Sequence, residues 1–493
     1  MSGPLVLAID QGTTNTKAVI MNAGGEILAR ASAPLATAYP QNGWAEQSAD
    51  AIWASVQAVI ADLVAITGTA DIAAVAIANQ RETLVTWDAD TGAPLHPAIL
   101  WQCRRTADTC AGLIAAGHDP AVVAATGLGI NPLFPASKLG WIMAHVPEAQ
   151  ALADTGRLRA GTVDAWLLWN LTGGTTFATD HSNASRTQLF DTQALQWSVD
   201  LCALFGAPLD ALPTPMASDS RFGQTGQTTA LPAGIPILAM MGDSHAALYG
   251  HGIRQPGTVK ATYGTGSSLM ALMPGRVASA NGLSGTIAWT DRHGTTYALE
   301  GTITVSAQAA TFMARLLGLS VPALSDLAQT VPDSGGVVFV PALAGLGAPH
   351  WDDSATGTLT GMTHGTTSAH LARATFEAIA CQIADVFTAM EADMGQPLSN
   401  LQADGGASAN RFLMQLQANV LNRPVLPSPI EEVGALGAAA MAFDHLGIDT
   451  QAWWSTKTSE TLQPDDSGRG AILAGWKHAI AMVLAPGQGP VQR

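Results

Sequence analysis

Two short stretches carry the residue types that hold a polyphosphate. The first, LVLAIDQGTTNTKAVI at 5–20, reads as an apolar strand, a small polar turn and a second apolar strand. Gly12 lets backbone approach a phosphate, Thr13 and Thr14 offer hydroxyl donors, Asp10 faces a hydrated Mg²⁺, and Lys17 adds positive charge. The second, KATYGTGSSLMAL at 260–272, repeats the pattern around Thr265 and Gly266. A plain glycine-threonine turn is the commoner explanation of either one alone. As a pair, in two halves of one chain, they suggest a nucleotide held in a cleft between two lobes. A third turn, DGGASAN at 404–410, ends a strand and starts a helix, and its bare backbone suits an adenine or a ribose.

Phosphoryl transfer also needs a group that takes the proton of the accepting hydroxyl. Asp243 is the candidate, because the apolar run PILAMM at 236–241 delivers it to a strand-to-helix junction. Arg81, Glu82 and Trp101 follow short apolar strands and are candidate binders of hydroxyls. Each has a plainer role open to it: a surface ion pair for Arg81 and Glu82, a core position for Trp101, a helix cap for Asp243. No Walker A loop, protein-kinase signature or complete G-x-G-x-x-G is present, and no His/Cys/carboxylate spacing reads as a metal-ligand set.

The elements that must position these residues alternate in type. Three strands open the chain through Arg30, and a helix follows from about Ser48 with apolar residues at Ile52, Val56, Val59, Ile60 and Leu63. A buried strand at 72–77 comes next. Residues 107–150 read as mostly helical, 180–186 as a polar loop, and 236–241 as a buried strand leading into a helix. The second half restarts the architecture and adds helices at 370–390, 411–421, 434–443 and 472–484. The expected division is 1–246 and 247–493.

Length and composition agree with two large cores. The chain has 493 residues, 47% apolar and 12% charged, too long for one core and too apolar for disorder. A net charge of −16 with no basic stripe argues against nucleic acid as a partner. No apolar run reads as a membrane span and no signal segment is visible, so a cytoplasmic location and no membrane partner are expected. Cys103, Cys110, Cys202 and Cys381 show no CxxC pairing and are expected to be free thiols.

Several longer motifs, in one order along nearly the whole chain, resemble the FGGY carbohydrate kinases, and within them the glycerol kinases. They are AIDQGTT at 8–14, NQRET at 79–83, WQCRRT at 101–106, GTVD at 161–164, TDHSNASRT at 179–187, GLGAP at 345–349, DGGASAN at 404–410 and FLMQ at 412–415. A family signature follows the same spacing through Gly357, Leu359, Gly361, Met362, His370, Leu371, Ala374 and Glu377. The resemblance implies an α/β fold of two actin-like (ribonuclease-H-like) domains flanking an ATP cleft, with ATP and Mg²⁺ as cofactors. It implies nucleotide contacts from Thr14, Thr265, Gly406 and Asn410, and a metal-facing Asp10. Arg81, Glu82, Trp101, Asp243 and Ser244 would line the acceptor site, with Asp243 as general base. A homodimer or homotetramer is implied too.

The departures bear on the acceptor. Leu133, Ser244 and Ser268 stand where glycerol kinases usually carry tyrosine, glutamine and phenylalanine. Glycerol is the expected substrate, because Arg81, Glu82 and Trp101 are retained. A four- or five-carbon polyol or ketose is the alternative, and an actin-like ATP-binding sensor is the reading from another class. Lys17 stands in place of an arginine, which keeps charge without a bidentate fork. Ala307 replaces a glycine that often meets the nucleotide. The loop ALPAGI at 230–235 lacks the basic residues linked with inhibition by fructose 1,6-bisphosphate, so none is expected.

Overall fold

The computed structural model describes residues 3–451, 453, 460–465 and 468–484. The first sheet is built on β1 (Leu5–Gln11), β2 (Asn15–Asn22) and β3 (Ile27–Pro34), an antiparallel meander. Helix α1 (Ala49–Thr67) follows, its N-terminus capped by the Ser48 hydroxyl. Then come β4 (Ile72–Asn79), helices α2 (Pro135–His145) and α3 (His181–Ala184), β5 (Gly223–Gln224), β6 (Pro236–Gly242) and α4 (Asp243–Gly250). The second sheet uses β7 (Thr258–Tyr263), β8 (Ser267–Met273), β9 (Ser284–Asp291), β10 (Gly294–Ile303), β11 (Asn400–Asp404) and β12 (Val425–Pro427). Helices α5 (Ser368–Met394), α6 (Arg411–Leu421) and α7 (Val433–His445) accompany it.

The two sheets share a plan. Their orders are β5-β6-β4-β1-β2-β3 and β9-β10-β8-β7-β11-β12. In each, antiparallel strands lead, β1-β2-β3 in the first sheet and β7-β8-β10-β9 in the second, where β10 pairs with β8 and β9 lies at the edge. Two parallel strands continue from the first strand of each: β4 and β6 beyond β1, β11 and β12 beyond β7. The restart inferred from two similar hairpins is thus a restart of the whole sheet. This is the two-domain α/β, actin-like architecture.

Both sheets are covered on two faces, which is why their strands read as nearly continuous apolar runs. One face of the first sheet packs on α1 through Ile52, Val56, Val59, Ile60 and Leu63. One face of the second packs on α5 and α6. The inner faces share a third core with α4 and α7, in which Val6, Ala8 and Leu238 join Met270, Leu272 and Ala435–Phe443. Helix α7 comes from the second half of the chain yet packs on β1, β4 and β6 of the first sheet. The 246/247 division falls inside α4.

Two local readings change. Residues 180–186 are a buried helical turn, not a polar loop: Asp180 caps α3 by accepting from the N–H groups of Ser182 and Asn183. Helix α1 is long and apolar enough to cross a membrane by length and composition alone, contrary to the reading of the sequence. It lies against β2 and β3 with its apolar stripe buried.

Candidate active site

The β1–β2 register sets Asp10 opposite Lys17. The turn between them is closed by Gly12 N–H donating to Asn15 O at 3.0 Å, and it leaves Thr14 exposed. Burial pushes the Asp10 carboxyl up to about 7, and Asp243 pushes it further while Lys17 opposes both. Asp404, from the other sheet, acts in the same direction as Asp243. Three carboxylates from both halves therefore face one region. The first turn of α7 abuts the same carboxylate, since a Cβ on Gly434 would lie 2.8 Å from Asp10 Oδ2.

The second hairpin is pinned from behind. Ser306 N–H donates to Thr265 O at 2.9 Å and Ala307 N–H to Gly264 O at 3.1 Å, which leaves the Thr265 side chain outward and exposed. Gly266 is required by contact, because a Cβ there would come within 2.4 Å of Ile303 O. In the third turn, Gly405 has φ +86° and sits against Tyr263 O, while Gly406 has nothing within 4 Å of a built Cβ. That open backbone is room for a flat ring. Asn410 is already engaged: its Oδ1 accepts from Leu413 N–H as the cap of α6, and its Nδ2 donates to Ser325 Oγ.

Arg81 is the hub of a charged cluster that includes the candidate acceptor residues. Its Nε donates to Asp243 Oδ1 at 2.9 Å, its Nη1 reaches Glu300 at 2.8 Å, and its Nη2 donates to Ser244 Oγ at 3.3 Å. Asp243 Oδ1 also accepts from Ser244 N–H at 2.6 Å. Its Oδ2 takes no hydrogen bond among the described residues, and the side chain is 39% exposed. One oxygen is thus fixed and the other is open to a hydroxyl. Glu82 adopts a left-handed backbone, φ 59°, and its Oε1 accepts from Arg186 Nε at 2.7 Å. Trp101 is half-buried, and its Nε1 donates to Thr13 Oγ1 at 3.0 Å, which ties it to the first hairpin.

Sequence reasoning missed two charged residues at this hub. Glu300 is fully buried and is shared by Arg81, Arg186 and Ser268, whose Oγ donates to Glu300 Oε1 at 2.7 Å. Burial raises the Glu300 carboxyl, but Arg186 and Arg81 outweigh it and hold the group well below the usual range. The available signal was a lone acid inside the otherwise uncharged strand YALEG at 297–301. Arg186 lay in plain view within 179–187. His245 is buried, bonded to Thr286, and kept neutral by burial, while His251 pairs with Asp404 at 2.7 Å.

Residues 5–250 match the N-terminal domain, and residues 259–444 the C-terminal domain, of the FGGY family of carbohydrate kinases. The chain belongs to that family. It is 45% identical to an apulose kinase of Pectobacterium atrosepticum, over 98% of both chains. It is 43% identical to a glycerol kinase of Symbiobacterium thermophilum, over 97% of this chain and 98% of that one. Among solved structures, Plasmodium falciparum glycerol kinase with ADP superposes with a TM-score of 0.91 at 30% identity, covering 98% of this chain and 99% of that one. A xylulose kinase of Lactobacillus acidophilus superposes at 0.90 with 21% identity and 98% and 99% coverage, a likeness of fold. As an FGGY kinase, this protein is a phosphotransferase with an alcohol group as acceptor, and its family uses ATP.

The residues also fit Mg²⁺. Among the described residues no cluster of three or more His, Cys, Asp or Glu forms an all-protein cage. Mg²⁺ keeps most of its waters and takes one or two carboxylates plus substrate phosphates. Asp10 at the end of β1, beside an exposed threonine turn, matches that donor set.

Proposed function

We propose that this FGGY kinase transfers the γ-phosphoryl group of ATP to a hydroxyl of a four- or five-carbon polyol or ketose. The observation that carries the reading is what Ser244 and Ser268 do. Both are small where glycerol kinases have glutamine and phenylalanine, and both hydroxyls bond to the charged hub, to Arg81 and to Glu300. They leave room and polarity where larger side chains would close around three carbons, and Leu133 adds no hydroxyl of its own. The likeness to an apulose kinase supports the same direction. Glycerol is the second reading, favoured by Arg81, Glu82, Trp101 and Asp243 standing together.

The chemistry follows from the hub. Arg81 Nε and Ser244 N–H hold Asp243 Oδ1, so the free Oδ2 is oriented to accept the proton of the attacking hydroxyl. Glu82, fixed by Arg186, and the Ser244 hydroxyl orient the rest of the acceptor. Thr13 and Thr14 from one lobe, and Thr265 and Gly266 from the other, border the space for the phosphates, with Lys17 beside them. Asp10 would hold hydrated Mg²⁺, which when bound neutralises phosphate charge. Gly406 leaves space for the nucleoside, with Asn410 at the edge of that turn. Closing the lobes over both substrates excludes water and suppresses idle ATP hydrolysis.

A coupled ADP assay over glycerol, erythritol, ribitol, D-xylulose and apulose tests this. The expected result is the highest kcat/KM on a four- or five-carbon acceptor. A maximum on glycerol would overturn the wider-pocket reading. ADP release indifferent to every acceptor would favour the sensor.

A further inference from the structure

Lys138 lies in the first turns of α2 and is fully buried. Its Nζ donates to two backbone carbonyls, Glu82 O at 2.9 Å and Leu133 O at 2.6 Å. These belong to separate segments. One carries Arg81 and Glu82, and the other carries Leu133 into α2. An ion pair with a carboxylate would explain a buried lysine, but here the ammonium is bonded to carbonyls.

The Glu82 backbone needs such a hold. It is a non-glycine residue at φ 59°, a conformation that persists only where surroundings enforce it. Its side chain is bound by Arg186 Nε, and the Arg186 guanidinium lies 5.2 Å from the centre of the ring of Phe134, the residue just before the first turn of α2. The start of α2 thus grips the Arg81–Glu82 segment through two routes, Lys138 to the backbone and Phe134 through Arg186 to the side chain.

We propose that Lys138 is a positioning residue for the acceptor: it ties the left-handed Glu82 backbone to the Leu133 segment and so sets the width of the pocket between them. The proposal rests on the reading of Arg81 and Glu82 as acceptor binders. Burial pushes the Lys138 ammonium down to about 7, with Cys103 and Glu82 opposing. The tether does not depend on the charge, because a neutral amine keeps two N–H donors, one for each carbonyl. An apolar side chain of the same length fills the space and leaves both carbonyls without a buried donor.

The test is Lys138→Met, with KM measured separately for ATP and for the best acceptor of the wild-type enzyme in the panel above. The expected result is an acceptor KM raised by about 10- to 100-fold, with the KM for ATP within about twofold of wild type. Should Lys138→Met fail to fold, Lys138→Ala is read with and without propylamine. The added amine is expected to lower the acceptor KM and leave the KM for ATP alone. An unchanged acceptor KM, equal rises in both KM values, or no response to propylamine would overturn the proposal. A wild-type enzyme with no acceptor in the panel would instead overturn the reading of Arg81 and Glu82, and this proposal with it.

Discussion

Replacing Glu300 with glutamine isolates the charge that the two buried guanidiniums share. Arg81 and Arg186 are 9% and 1% exposed, Glu300 is not exposed at all, and both arginines reach it at 2.8 Å. In Glu300→Gln the amide oxygen can still accept one N–H. The amide NH₂ must then face a donor of the other arginine or of Ser268. Breaking a buried pair on one side costs about 3–5 kcal/mol. At about 2 °C per kcal/mol for a unit of ~250 residues, that is a fall of about 6–10 °C in Tm. The same change frees the Arg81 fork that fixes Asp243, and misplacing a reacting group by about 1 Å costs about 100-fold, read here in acceptor kcat/KM. Differential scanning calorimetry and the coupled assay give both numbers. The pH dependence gives a third. The folded carboxyl is depressed, so its stabilisation is complete above the unfolded value of about 4.3 and is lost as pH falls through the folded one. The Tm gap between wild type and variant should be full at pH 7 and shrink in strong acid. A Glu300→Gln enzyme with wild-type Tm and acceptor kcat/KM would refute the reasoning.

Two other outcomes follow from single groups. Asp243→Asn keeps the size of the side chain and removes the proposed base, so turnover should fall by about 10²–10⁴ while nucleotide affinity by calorimetry stays near wild type. Normal turnover would remove Asp243 from that role. Burial, helped by Asp180 and opposed by Thr162 and Thr179, pushes the Asp164 carboxyl up to about 6 from 3.8. Between those values the folded protein binds a proton that the unfolded chain does not, so stability falls by about 3 kcal/mol as pH rises through the window. Asp164→Asn should flatten the slope of Tm between pH 4 and pH 6, and an unchanged slope would refute the assignment.

The parts of the fold that were legible in the sequence are those where local chemistry and tertiary environment agree. Helix α6 runs over Arg411–Leu421 as read, because Asn410 caps it and its apolar period is clean. Both hairpins were legible as strand-turn-strand units because a short polar turn containing glycine separates two apolar runs in each. The turn at 180–186 was not. Its Asp, Ser and Asn residues look solvated, yet Asp180 bonds Ser182, Asn183 and Ser218 in a buried network. The charged hub was half legible. Arg81, Glu82 and Asp243 end strands, where ligands are expected. Glu300 meets Arg81 across a separation of 219 residues, and no local pattern encodes such a pairing.

The same long-range logic explains why the site needs both halves. Helices α4 and α7 form the layer between the sheets, and they touch backbone to backbone. A Cβ on Gly437 would lie 1.8 Å from Ala246 O, and one on Gly250 would lie 2.1 Å from Val433 O. Asp243 is the first residue of α4, and Gly434 in the first turn of α7 presses on the Asp10 carboxylate. The glycine contacts therefore fix how far Asp243, the proposed base, stands from Asp10, the acid proposed to face the metal. Larger residues would separate the helices and with them the two chemical centres. The small-residue composition of 434–443 suits close packing, and in the structure it lets α7 approach α4 backbone to backbone. What that contact sets is the distance of the proposed base from the first hairpin, and the proposed in-line transfer from nucleotide to alcohol requires the two to be close and rigid.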